Sequence, residues 1–140
     1  MKSKNKVTFE VFDMQSKDCD KARLYGFMGD IFSCGLLNKE LPYLSNSLKR
    51  VWILILADNK LAGFGSYEPK GNKYELKNDY IFPDFNKELF NQLFKKRLQM
   101  LGNAQMEATI EDELVPFYQK NGFKVICKKG KYNYVCKGGK

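Results

Sequence analysis

The chain has 140 residues, with 24 Lys and Arg against 16 Asp and Glu, four Cys, no His, and 44% hydrophobic and 14% aromatic residues. At roughly 150 residues per domain it fits a single domain over 1–140 that buries a real core. The missing histidine excludes a Ser-His-Asp or Cys-His nucleophile, a His-ligated metal and a His general base, and no metal site is expected. No apolar run approaches the roughly 18–20 residues of a membrane helix, and the opening MKSKNKVTFE lacks the apolar stretch of a signal peptide, so a soluble, cytoplasmic protein without membrane contact is expected.

Alternation over residues 6–12 predicts a first strand. Ser16 is placed to cap a helix carrying Leu24, Phe27, Met28 and Ile31 on one face, at the i, i+3, i+4, i+7 spacing. Gly26, Gly29 and Gly35 weaken that helix, and 38–47 reads as a second short helix or loop through Pro42. Residues 51–57 are apolar throughout, as in a strand covered on both faces, and Asp58-Asn59-Lys60 turns the chain into a partner strand over 61–67. A further strand over 73–82 stops at Pro83, which cannot donate within a ladder. Over 86–101 the residues Phe90, Leu93, Phe94, Leu98 and Leu101 form one apolar stripe, with Lys87, Asn91, Lys95, Lys96 and Gln99 facing water, which predicts a long helix. A strand over 104–110 follows, then a short helix over 111–122 starting near Glu113, because Pro116 suits a first turn and Gly122 a left-handed close. Strands over 123–128 and 132–137 make a final hairpin around Lys129-Gly130-Lys131, and 138–140 is a frayed tail.

Seven lysines and no acid fall within 120–140, so the rest of the chain is near neutrality and the basic character belongs to its C-terminal segment. Residues 124–137 are therefore the place for an acidic partner or nucleic acid, with a lysine-rich solvated hairpin as the plainer reading. Cys19, Cys34, Cys127 and Cys136 show neither CxxC nor paired zinc spacing and read as small buried hydrophobes.

The stretch Phe117-Tyr-Gln-Lys-Asn-Gly-Phe123, lying between a helix and a closing hairpin, resembles the FYxKxGF signature of the GNAT acetyltransferase superfamily. Lys60-Leu-Ala-Gly-Phe64 is similar to that family's third strand, and Ile81-Phe-Pro-Asp-Phe85 to the strand end before its acyl-CoA loop. The resemblance implies an α/β (α+β) domain with a central mixed, mostly antiparallel sheet of about six to seven strands flanked by about four helices. It also implies transfer of an acetyl or other acyl group from a CoA thioester to an amine on a small molecule or protein, by direct attack.

By the same resemblance, Tyr118 matches the tyrosine that protonates the departing thiolate. Glu75 stands at the spacing of the carboxylate base that the histone-acetyltransferase branch carries on its fourth strand. Simple alternation would put Glu75, Lys77, Asp79 and Ile81 on one face. Asp79, Glu111 and Asp112 are alternative acceptor-binding carboxylates. Backbone groups at Ile81 and Phe82 match those that hold the thioester arm.

The family's phosphate loop, Q/R-x-x-G-x-G/A, falls on 86–91, where Asn86 takes the arginine position and Leu89 and Asn91 the glycine positions. Glycines there let backbone amides close on a pyrophosphate, whereas a leucine side chain obstructs that approach. Glu88 competes for the positive end of the helix, with Lys87 partly offsetting it. Three readings follow: an N-acyltransferase using acetyl-CoA, a degenerate GNAT-fold binding protein, and a nucleic-acid-directed protein using the basic hairpin. A homodimer through the edge left by that hairpin is compatible with each.

Overall fold

The computed structural model describes residues 6–34, 49–82, 85 and 88–138. Its elements run β1 (Val7–Asp13), α1 (Lys21–Cys34), β2 (Val51–Ala57), β3 (Lys60–Lys70), β4 (Lys73–Ile81), α2 (Glu88–Leu101), β5 (Met106–Glu111), a 3-10 turn (Asp112–Leu114), α3 (Val115–Lys120), β6 (Lys124–Lys129) and β7 (Tyr132–Lys137). The expected second helix over 38–47 lies outside the described residues, as do Pro83, Asn86 and Lys87.

The seven strands among the described residues join one sheet in the order β1-β2-β3-β4-β5-β7-β6. The first four strands are antiparallel neighbours, with two-residue turns joining β2 to β3 and β3 to β4, whereas α1 lies in the chain between β1 and β2. Asp58 and Asn59 take positive φ of 52° and 69°, the backbone that a two-residue hairpin between twisted strands demands. Gly71 at φ 64° supplies the same freedom between β3 and β4. The sheet's parallel neighbours are β4 and β5, joined through the crossover helix α2.

Helix α1 begins one turn later than its predicted cap. Asp20 accepts from the Arg23 amide at 3.0 Å and caps the helix, whereas Ser16 accepts from Asp18 in the preceding turn at 3.1 Å. Its apolar face, Leu24, Met28 and Ile31, covers Phe12, Trp52, Leu54, Leu56 and Phe64. The other side of the same strands packs under α2, through Ile53, Ile55, Ile81, Leu89 and Leu93. Covered on both faces, β2 is buried at all seven positions, as its unbroken apolar run requires. A third cluster joins α2 and α3 to the C-terminal strands through Leu76, Phe94, Met106, Ala108, Tyr118, Phe123 and Val135.

The cysteines differ from expectation. Cys127 is exposed on the edge strand β6, Cys19 and Cys136 are half-buried, and all three thiols are free. Strand β6 is the outermost, so its side chains gain no neighbour beyond it and every one of its six positions is exposed. No helix among the described residues is long and apolar enough to cross a membrane.

Candidate active site

The β4–β5 ladder pairs Tyr74 with Met106, Glu75 with Glu107 and Leu76 with Ala108, and stops there. Both strands continue, β4 to Ile81 and β5 to Glu111, so beyond Leu76 the sheet forks. On the other side of β4 the register shifts: Ser66 pairs with Lys77 and Phe64 with Tyr80, leaving Asn78 and Asp79 opposite the single residue Gly65. This is a β-bulge, and it reverses the alternation of the strand.

The reversal overturns the expectation that Glu75, Lys77, Asp79 and Ile81 share a face. Glu75 and Lys77 point to the α1 side and pair with each other at 3.6 Å. Asp79 and Ile81 turn to the α2 side, where Ile81 enters the core and Asp79 meets Arg97 of α2. Arg97 follows Leu93 by four residues and Phe94 by three, so helical geometry places it in the middle of the buried stripe.

Asp79 and Arg97 form a two-pronged pair, Nη1 to Oδ1 and Nη2 to Oδ2, the latter at 2.9 Å. Arg97 is fully buried and Asp79 keeps 6% of its side-chain surface, so the pair is out of bulk water. Nη1 also donates to the Ser66 carbonyl at 3.2 Å, and the guanidinium lies over the Phe94 ring, 5.3 Å from its centre. Gly65 makes room for this pair. A Cβ there would stand 2.9 Å from Arg97 Nη1 and 3.0 Å from Asp79 Oδ1.

Tyr118, on α3 beyond the end of β5, reaches back across the fork and donates its hydroxyl to Asp79 Oδ2 at 2.6 Å. Its ring is buried at 1% exposure, held edge-on by Phe94 and Phe123 with centroids at 4.8 and 5.0 Å. Phe117 turns toward Phe90 and Phe94 instead and stays half-buried. Burial pushes the Tyr118 phenol well above its ordinary range, the Asp79 charge adds to this, and Arg97 offsets part of it. Burial works against the Arg97 charge, yet attraction and hydrogen bonding from Asp79 prevail and raise its pKa. The phenol therefore keeps its proton, and the guanidinium its charge, throughout the physiological range.

The α1 side of the fork is polar. Glu75 lies between Glu68 on β3 and Glu107 on β5. Glu68 accepts from Arg50 Nε at 2.9 Å. Glu107, 2% exposed, takes Lys73 at 2.6 Å, Lys70 at 2.9 Å and the Tyr134 hydroxyl at 2.6 Å. Burial alone would raise its pKa, but hydrogen bonds from Lys73, Tyr134 and Lys70 prevail and hold it at about 2.

Because this value lies below the unfolded 4.5, the stabilisation is complete above about pH 5 and lost as pH falls toward 2, where the unfolded chain takes up the proton first. At neutral pH it is on the order of 3 kcal/mol. Glu107→Gln is therefore expected to flatten the fall in urea midpoint between pH 7 and pH 3. An unchanged slope would show that Glu107 is not held down.

Of the donor-loop residues, Asn86 and Lys87 lie outside the described residues. Leu89 is buried beneath α2 against Ile53, Ile55 and Leu93, so its side chain is committed to the core. The Asn91 amide donates to the Glu88 carboxylate at 3.2 Å in the first turn of α2. The Phe82 amide donates to Ala62 at 2.9 Å. Among the other carboxylates, Asp112 accepts from Lys128 at 2.7 Å and Asn133 at 2.8 Å, and Glu111 is half-buried at the end of β5. Arg97 was absent from the sequence-derived residues, although its position inside the apolar stripe of α2 marks it.

No family model matches the chain, and no curated protein matches it. Solved structures do. An acyl-CoA N-acyltransferase from Pseudomonas aeruginosa superposes with a TM-score of 0.74 at 11% identity, over 95% of this chain and 100% of that one. The PaiA N-acetyltransferase of Thermoplasma acidophilum, in complex with coenzyme A, gives 0.62 at 19% identity, over 96% and 99%. A GNAT family acetyltransferase from Elizabethkingia anophelis with acetyl-CoA bound gives 0.63 at 15% identity, over 94% and 97%. The chain has the GNAT fold.

Proposed function

We propose that this GNAT-fold chain is an N-acyltransferase that moves an acetyl or other acyl group from a CoA thioester to an amine. One observation carries the reading: the sheet forks between β4 and β5, and the hydroxyl of Tyr118 spans that fork. The structural neighbours that hold coenzyme A and acetyl-CoA support the choice of donor. The thioester arm would lie in the fork, along the β4 backbone at Ile81, the Phe82 amide being already given to Ala62, with its phosphates toward the first turn of α2.

The amine lone pair attacks the thioester carbonyl, and Tyr118 returns a proton to the departing thiolate. A phenol whose pKa is raised remains available as a proton donor across neutral pH. Glu75, on the polar side of the fork, is proposed to receive the acceptor's amine. Because Leu89 turns into the core, its side chain is no bar to a donor approaching the outer surface of the helix, and the amides of the first turn of α2 are the proposed phosphate contacts.

Calorimetric titration with acetyl-CoA, followed by turnover on a panel of primary amines, tests this. Saturable micromolar binding is expected, and Glu75→Gln is expected to raise the acceptor KM about tenfold, the scale of one charged hydrogen bond. Absence of binding up to millimolar acetyl-CoA would overturn the reading and leave a fold kept for binding a partner.

A further inference from the structure

The Tyr118 hydroxyl has one proton, and the structure commits it to Asp79 at 2.6 Å. The phenol oxygen thus directs its proton toward Asp79, has the Arg97 guanidinium as its other polar neighbour, and keeps one lone pair for a donor group in the fork. Asp79 is fixed from behind by the two-pronged Arg97, and Arg97 by the Ser66 carbonyl, so the carboxylate is anchored without help from solvent. Glu75, by contrast, lies on the opposite face of β4 and pairs with Lys77.

We propose that Asp79 is the positioning and proton-holding residue of the acyl transfer, acting through Tyr118, which serves as a two-way relay. This rests on the acyltransferase reading above. As the acceptor nitrogen bonds to the thioester carbon, its N–H bond breaks toward the Tyr118 oxygen while the original phenol proton passes to Asp79. The carbon–sulfur bond then breaks with its electron pair on sulfur. The proton returns from Asp79 through Tyr118 to that thiolate, giving the amide and the free thiol. No further reactant is needed, since the proton taken from the amine is the one delivered to sulfur. Arg97 holds Asp79 in place by its two hydrogen bonds and stays charged throughout.

The test uses the full chain with acetyl-CoA and the amine panel. Tyr118→Phe, which leaves the Asp79–Arg97 pair intact, and Asp79→Asn are each expected to lower kcat by about a hundredfold or more, with KM for acetyl-CoA within about threefold. Because the two act as one unit, the double variant is expected to be no worse than either single one. In mixtures of light and heavy water, kcat of the native chain should fall along a curve, as two protons in flight require, and along a straight line for Asp79→Asn.

Native turnover with a linear dependence overturns the relay alone, as does an Asp79→Asn chain that keeps kcat within threefold. Absence of native turnover on every amine overturns the acyltransferase reading and the relay with it. If Asp79→Asn does not fold, the native curve and Tyr118→Phe decide: a straight line or unchanged kcat in Tyr118→Phe refutes the proposal, and a curve with the hundredfold loss supports it.

Discussion

Replacing Arg97 with alanine is expected to destabilise the fold by about 3–5 kcal/mol, the cost of stranding one partner of a buried ion pair. Arg97 and Asp79 face each other with almost no solvent, and the Tyr118 hydroxyl points at the same carboxylate. Without the guanidinium, Asp79 must either hold an unpaired charge or take up a proton, and the Ser66 carbonyl loses its donor. The pair is also imperfect, since Arg97 Nε is buried with no partner among the described residues. Removing both charges, as Arg97→Met with Asp79→Asn, is therefore expected to cost less than Arg97→Ala alone. Urea denaturation at pH 7 checks this through the midpoints at constant slope. A loss below about 1 kcal/mol in Arg97→Ala would mean that water already screens the pair.

Phe94→Ala is the second large effect, expected at about 3–5 kcal/mol from lost transfer free energy and the cavity left behind. Phe94 is wholly buried, with the rings of Phe117 and Tyr118 at 4.8 Å, Phe123 at 6.0 Å and Phe90 at 6.1 Å. Its face also carries the Arg97 guanidinium, so the same truncation loosens both the aromatic cluster and the ion pair. Phe94→Leu refills most of the volume and is expected to lose about half as much. Thermal unfolding of the two variants separates these outcomes. Equal and small shifts would show that the cluster collapses around the gap.

Much of the fold was readable because periodicity and turn chemistry agree. The continuous run at Val51–Ala57 meant a doubly covered strand, and it is buried at every position. The apolar stripe of α2 ends at Gly102, whose φ of 58° closes the helix. The motif at 117–123 located Tyr118, but sequence could not tell what its hydroxyl would meet. The partner, Asp79, faces inward through a register shift opposite Gly65, and alternation carries no mark of an inserted residue. Arg97 was concealed differently. Its charge argues for water while its spacing from Leu93 and Phe94 argues for the core, and the spacing decides because Asp79 neutralises the cost. The exposed Cys127 reflects the position of β6 at the end of the sheet, which residue type does not encode.

The short seam between the two halves of the sheet has a mechanical consequence. Seven residue pairs tie β1 to β2, whereas three tie β4 to β5. Beyond Tyr74–Leu76, β5, β6, β7 and α3 are therefore tied to the N-terminal strands through side chains and not through the ladder. The bond from Tyr118 to Asp79 lies beyond that seam and is one of those ties, so Tyr118→Phe removes a polar clasp between the two halves of the sheet as well as a hydroxyl from the fork.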